Sequence, residues 1–100
     1  GVLFHFTREE QLKILRNIFS ILKDDGVFIS YYPEGNFEGF EDINVDGKGY
    51  QRYTRETPIA EWIKTVESVG FMKKKELNFN IGKFKCIEYM KALTPVQQVA

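Results

Sequence analysis

Residues able to exchange protons near neutral pH are few in this sequence, and His5 is the clearest candidate. It is the only histidine in the 100-residue chain, and an imidazole can act as a base in this pH range. His5 stands two residues before a helix-capping pattern, so a structural role beside that cap is the alternative. Because the sequence does not supply a serine and a carboxylate that would clearly act with it, we assign no catalytic residue.

Acidic side chains and the single cysteine are the next candidates, and they predict no metal site. Asp42, Asn44 and Asp46 alternate as in a calcium loop, but the glycine and the distant glutamate of an EF-hand are not in place. We therefore expect a solvated acidic loop. Cys86 has no second cysteine to form a disulfide or a metal cluster, and we expect a small buried side chain.

Length and composition predict one domain with a real core. Hydrophobic residues make up 43% of the chain, which is typical of folded proteins. The net charge is zero and the two signs are interleaved, which argues against a nucleic-acid surface and a polybasic membrane contact. No apolar run is long enough to span a bilayer, and no export leader is visible. We expect a cytoplasmic protein whose natural start is not Gly1.

The first half of the chain predicts a helix followed by a strand. Thr7 and Glu10 form a capping box, and apolar residues around Leu15 recur at steps of three and four. This pattern predicts a helix over residues 8–23 with a buried apolar stripe. Residues 27–32 are strand-favouring without alternation, which is typical of a strand covered on both faces.

The second half predicts a loop, a helix and a hairpin. Residues 33–55 are rich in glycine and acidic side chains and predict a long loop. A helix then begins at the Thr57-Pro58 pattern and ends at Gly70. Residues 72–79 and 84–91 predict two strands joined by a turn at residues 80–82, and residues 93–100 predict a flexible tail. The crossover helix and the hairpin together predict one mixed sheet, with residues 84–91 central and antiparallel to both neighbours.

This order resembles the second half of a class I S-adenosylmethionine-dependent methyltransferase, after its fourth strand. The resemblance covers about residues 2–92 and rests on ordered segments, namely Leu3-Phe4-His5-Phe6-Thr7-Arg8-Glu9-Glu10-Gln11, Lys23-Asp24-Asp25-Gly26, Val27 to Tyr32, Glu34-Gly35 and Gly70-Phe71. It implies an α/β fold class, a partial Rossmann-like methyltransferase fold with a small mixed sheet, two helices and a C-terminal antiparallel β-hairpin. It also implies one domain over residues 1–92.

The resemblance implies roles for five residues. Phe4 and His5 would lie beside the cofactor, S-adenosylmethionine, and Tyr31, Tyr32 and Tyr53 would line the pocket of a small-molecule substrate. Packing in the core or at its rim is the alternative for the tyrosines. The glycine-rich loop of the family and its ribose-binding acid are missing, so the resemblance implies a fragment that carries the substrate side and is inactive alone.

A non-catalytic protein-interaction module derived from the same fold is the alternative function. In the complete family fold, the strand at residues 27–32 has a parallel neighbour on its other side. Without that neighbour its edge is unpaired, and an unpaired edge pairs readily with another chain. We therefore expect the isolated chain to self-associate and to have no useful affinity for S-adenosylmethionine.

Overall fold

The computed structural model of the protein describes residues 3–92, apart from the side chains of residues 78–81. The predicted tail at residues 93–100 lies outside the described residues. The elements, in chain order, are a 3-10 turn (Leu3–His5), α1 (Arg8–Ile21), β1 (Val27–Pro33), β2 (Glu38–Val45), β3 (Lys48–Arg55), α2 (Ile59–Glu67), β4 (Phe71–Ile81) and β5 (Phe84–Lys91). No helix within this part of the chain is both long enough and apolar enough to cross a bilayer.

The capping box of α1 is confirmed. The Glu10 amide donates to Thr7 Oγ1 at 3.3 Å, and the Thr7 amide donates to Glu10 Oε1 at 2.9 Å. The hydrogen bonds from the Thr7 backbone and hydroxyl hold the pKa of Glu10 below its usual value. The helix ends at Ile21, two residues before the predicted end, because Leu22 leaves the helical conformation. Leu15 is fully buried, whereas Ile21 is 82% exposed, so the apolar stripe is only partly covered.

The three-stranded sheet has the order β1-β5-β4, so the predicted central position of β5 is confirmed. Both pairings are antiparallel. The prediction of a mixed sheet is therefore wrong for this sheet, because no parallel strand pairs with the free edge of β1 within residues 3–92. Within residues 3–92 the one parallel contact is an isolated bridge between Glu34 and Thr57.

The core lies between the two helices and one face of the sheet. Trp62 of α2 stacks on Tyr32 at 3.9 Å between ring centroids, and its Nε1 donates to Ser30 Oγ at 2.8 Å. The buried residues that form the core cluster are Leu15, Tyr32, Trp62, Val66, Phe71, Ile87 and Tyr89. Cys86 is also buried, as predicted. Successive side chains of a strand point to opposite faces, so Ser30 and Tyr32 lie on one face of the sheet and Val27 and Ile29 on the other. The helices cover only the face that carries Ser30 and Tyr32.

The opposite face of the sheet is open, which corrects the prediction that both faces of β1 are covered. Val27 is 47% exposed and Ile29 is 54% exposed. Met72 on β4 is 41% exposed, and it pairs with Met90, which in turn pairs with Val27. A run of apolar residues without alternation was the basis of the prediction, and the described residues contain no layer that packs over the face of this run that carries Val27 and Ile29.

The start of α2 differs from the predicted Thr57 cap. Pro58 is the N-cap residue, and the helix begins at Ile59. The Glu34 carboxylate instead accepts a hydrogen bond from the Ile59 amide at 3.3 Å, and negative charge at a helix N-terminus is favourable. Gly70 ends the following turn with a φ of 121°, and a Cβ there would lie 2.8 Å from the Phe19 ring. The helical segment can therefore end in this way only with glycine at position 70.

A second, two-stranded sheet occupies most of the segment predicted to be a loop. Strands β2 and β3 pair antiparallel around Asp46 and Gly47, whose φ values are 51° and 78°. Two consecutive positive φ values are typical of the tight turn that joins strands of a hairpin, and Asp-Gly is a preferred sequence for it. The loop prediction was wrong because it gave weight to glycine and acidic content. We call β2 and β3 together the ribbon.

Candidate functional site

The carboxyl end of β1 is the place where the distant parts of the chain converge. The Glu34 amide donates to the Lys83 carbonyl at 2.8 Å, and the Gly35 amide donates to the Thr57 carbonyl at 3.1 Å. The Glu56 amide closes the base of the ribbon by donating to the Phe37 carbonyl at 2.7 Å. These bonds fix the ribbon against the turn between β4 and β5.

Four of the five residues predicted for the site lie around the 3-10 turn. The Phe4 ring meets the Phe84 ring edge to face at 5.3 Å, and Phe84 stacks on Tyr31 at 5.7 Å. His5 Nδ1 lies 3.2 Å from the Tyr53 carbonyl oxygen. A carbonyl can only accept, so Nδ1 carries the hydrogen in this contact and Nε2 of the neutral ring is left as an acceptor.

Tyr32, the fifth predicted residue, lies in the core instead of on a pocket wall. It is fully buried, its hydroxyl donates to the Arg55 carbonyl at 2.7 Å, and it accepts from Gln11 Nε2 at 2.9 Å. Burial raises the pKa of the Tyr32 phenol. Core packing, the alternative interpretation of the tyrosines, describes this residue, and no part of it is open to a substrate.

Arg55 is the residue at this site that the sequence did not reveal. It is 7% exposed, and its Nη1 donates to Gln11 Oε1 at 3.1 Å. Its Nε lies 3.5 Å from Glu38, and its Nη2 lies 3.9 Å from Glu61. An arginine at the end of a predicted loop carries no signal of burial. The cross-strand pairing of Glu38 with Arg55 in the ribbon would have been the signal.

Tyr53 lies on the same face of the ribbon as Arg55, and the pKa of its phenol is raised. Its hydroxyl donates to the Glu38 carboxylate, and its ring meets Phe40 at 5.7 Å. Desolvation, and after it the hydrogen bond to Glu38, raises the pKa of Tyr53 to about 12. Tyr53 therefore acts as a neutral hydrogen-bond donor across the physiological range and not as a base.

A small cleft opens on the other face of the ribbon, beside the 3-10 turn. Its volume is about 140 Å³, and it lies between aromatic residues and charged residues. The lining residues are Phe4, Pro33, Glu41, Arg52, Thr54, Glu56, Lys83 and Phe84. We call it the β1 cleft, because Pro33 is the last residue of β1.

The charges of the β1 cleft are paired. Arg52 Nε donates to Glu41 Oε1 at 3.0 Å, and Thr54 Oγ1 donates to the same oxygen at 2.7 Å. The hydrogen bond from Thr54 and then that from Arg52 hold the pKa of Glu41 below its usual range. Glu56 forms an ion pair with Lys83, and the Glu56 side chain is only 11% exposed.

Within residues 3–92, the one direct connection from a strand into a helix is residues 56–58, and it contains no glycine. It therefore differs from the glycine-rich loop that cradles a dinucleotide-like cofactor. Phe4 and His5 remain the described residues at which a cofactor contact was predicted.

The fold is similar to part of a known methyltransferase. The match is to 1,6-didemethyltoxoflavin-N1-methyltransferase of Burkholderia thailandensis, whose crystal structure contains 1,6-didemethyltoxoflavin and S-adenosylhomocysteine. The TM-score is 0.70 and the sequence identity is 18%, and the match covers 93% of this chain and 41% of that enzyme. No family model matches the chain, and no curated protein matches it in sequence. The chain thus has the fold of part of this methyltransferase.

Proposed function

We propose that this chain is the C-terminal half of a Rossmann-like, class I S-adenosylmethionine-dependent methyltransferase and that it carries the substrate side of the active site. The observation that carries the proposal is the unequal coverage of the structural match, 93% of this chain against 41% of the methyltransferase. The order β1-β5-β4 with a terminal hairpin agrees with the resemblance noted in the sequence.

In this proposal, the 3-10 turn faces the reacting part of the cofactor. S-adenosylmethionine supplies an electrophilic methyl group, and catalysis consists mainly of holding the nucleophile in line with it. Phe4 and His5 would contact the cofactor, and Tyr31, which stacks on Phe84, would orient a small-molecule acceptor. The Tyr53 carbonyl would hold His5 in place. His5 Nε2, the free acceptor nitrogen, is suited to hold a proton of that acceptor.

The open face of the sheet supports the same proposal. Sheets of this class are covered on both faces, and Val27, Ile29 and Met72 are exposed apolar residues on one face here. A preceding half would place a strand beside the free edge of β1 and a layer over these residues. The complete enzyme would act in the cytoplasm, and these residues alone would not bind the cofactor.

The test compares this chain with the same chain extended by the residues encoded upstream of Gly1. Calorimetric titration with S-adenosylhomocysteine should give saturable micromolar binding for the extended chain and none for residues 1–100. His5→Ala in the extended chain should weaken binding, whereas the exposed Glu9→Ala on α1 should leave it unchanged. Saturable micromolar binding by residues 1–100 alone, or none by the extended chain, would contradict the proposal.

The same exposed residues favour a second candidate, an interaction module that uses the free edge of β1. An apolar, unpaired strand edge is a template for pairing with another chain. Residues 1–100 should then self-associate at micromolar concentration in light scattering. Ile29→Lys on β1 should give a monomer, whereas Phe40→Lys, at an exposed apolar position on the ribbon, should not. A monomer before any substitution would exclude edge pairing.

A further inference from the structure

The aromatic wall of the β1 cleft is already organised without a ligand. Phe4 and Phe84 meet edge to face at 5.3 Å, and Tyr31 stacks behind Phe84 with an angle of 13° between the ring planes. Rings held in this way present a flat apolar surface at little entropic cost, and another ring prefers to pack against it in offset or edge-on geometry.

The opposite wall is polar and has no net charge. Arg52 is matched by Glu41, and Lys83 is matched by Glu56. Lys83 also contributes to lowering the pKa of Glu41, so the two pairs are close to each other. The charge of a charged ligand would have no free counter-charge on this wall, and an unpaired charge in a partly buried site is unfavourable. The wall therefore favours a neutral ligand.

One atom on this wall is ready to accept a hydrogen bond. The bonds from Arg52 and Thr54 both end on Glu41 Oε1. No side chain or amide within the described residues donates to the other oxygen, Oε2. Because Glu41 has a lowered pKa, it stays a carboxylate and accepts strongly from N–H or O–H groups.

The size of the cleft limits the ligand to one ring. Its volume is about 140 Å³, and a cavity of about 150 Å³ is known to hold benzene. Pockets for drug-sized molecules are larger, about 300–1,000 Å³. A single six-membered ring with polar substituents on its edge is the kind of group that fills this space.

We propose that the β1 cleft binds the methyl acceptor and that the bound part is a neutral, planar ring with N–H or O–H donors on its edge, directed at Glu41. The identification of the ligand as a methyl acceptor rests on the proposed function. The cleft itself is formed entirely by residues of this chain. Binding can therefore be measured on residues 1–100 without the cofactor.

The experiment is an NMR titration of the 15N-labelled chain with uracil, a neutral planar ring with two N–H donors. Uracil should shift the amide signals of Thr54, Lys83 and Phe84, with a dissociation constant of about millimolar, as expected for so few atoms. 1,3-Dimethyluracil has the same ring without the donors, and orotate adds a negative charge. Each should bind at least about tenfold more weakly, since a hydrogen bond to a charged group is lost or a charge is left unbalanced.

Two variants test the residue assignment. Glu41→Gln should weaken uracil binding about fivefold or more, because a charged acceptor becomes a neutral amide. Glu9→Gln on α1 is the control and should bind uracil as the unchanged chain does. No shift of the cleft amides at the solubility limit of uracil, equal binding of 1,3-dimethyluracil, or tighter binding of orotate would overturn the proposal.

The outcome is separate from that of the methyltransferase proposal. Failure of uracil binding with normal S-adenosylhomocysteine binding by the extended chain would overturn only the ligand class. Uracil binding by residues 1–100, with no cofactor binding by the extended chain, would support the cleft as a binding site and overturn the methyltransferase proposal.

Discussion

The three-stranded sheet and the ribbon are built from similar strands but are stabilised in different ways. The sheet has two helices over one face and a core that includes Leu15, Trp62 and Tyr89 at full burial. The ribbon has no helix over either face within the described residues, and Phe40 on it is 70% exposed. An isolated two-stranded hairpin is marginally stable in water. The ribbon therefore depends on its base, where it meets the sheet, whereas the sheet carries the stability of the fold.

The test with the largest expected effect replaces one apolar side chain in each region by alanine. Leu15→Ala should lower the free energy of unfolding by about 2–5 kcal/mol, because it leaves a cavity in the core. Phe40→Ala should change it by less than about 0.5 kcal/mol, because the ring is mostly in solvent. Denaturant unfolding measures both. Similar losses in the two variants would show that the ribbon is as much a part of the core as the helices are.

The next test concerns the junction between the two regions. Tyr32→Phe removes a buried hydroxyl and leaves the Arg55 carbonyl without its partner, so it should cost about 1–3 kcal/mol in the free energy of unfolding. Tyr50→Phe, on the exposed part of the ribbon, is the matched control and should be neutral. A loss below about 0.5 kcal/mol for Tyr32→Phe would mean that the junction is solvated.

A smaller effect should be confined to the ribbon. Gly47 has a φ of 78° in the ribbon turn, whereas Gly49 has ordinary backbone and open space around it. Gly47→Ala should cost about 1–2 kcal/mol and speed hydrogen exchange of the β2 and β3 amides, while β5 amides stay protected. Gly49→Ala should have little effect. Equal acceleration in β5 would show that the two regions open together.

The smallest effect is electrostatic and concerns the phenol of Tyr53. Its pKa of about 12 in the folded chain lies above the value of about 10 in an unfolded chain. The interaction with Glu38 is therefore fully present below pH 10, and its stabilisation is lost as the pH rises from about 10 to about 12. NMR of 13C-labelled tyrosine measures this titration. Glu38→Gln should move the Tyr53 midpoint down, and an unchanged midpoint would rule out Glu38 as a cause.

The sequence predicted the sheet well because the signals there are local and strong. The Thr7 and Glu10 capping box, the apolar periodicity around Leu15 and the crossover before the terminal hairpin each depend on neighbouring residues, and each agrees with the structure. The boundaries were less accurate. Thr57 was expected to cap α2, but a residue from another element, Glu34, accepts the hydrogen bond instead.

The ribbon and the site were harder to predict because their signals are long-range. In β2 the apolar Phe40 lies on the exposed side of the strand and Gly39 on the more buried side, so apolar periodicity gives no signal there. Asp46-Gly47 is the local mark of the turn. Phe4 and His5 lie close to Tyr31 and Tyr53, and the binding roles of all four stay predictions. The partners of Arg55 lie on other elements, and Gln11 among them is 44 positions away.

The buried bonds among Gln11, Tyr32 and Arg55 have a consequence for the order of folding. They join residues 21, 23 and 44 positions apart, and closing such loops costs conformational entropy that rises with their length. The ribbon closes its own turn locally and brings Arg55 opposite Glu38, but the bonds of Arg55 to Gln11 and Tyr32 require α1 and β1 to be in place. We therefore expect the ribbon to dock after the transition state, so that loss of the Arg55 contacts speeds unfolding and hardly slows folding.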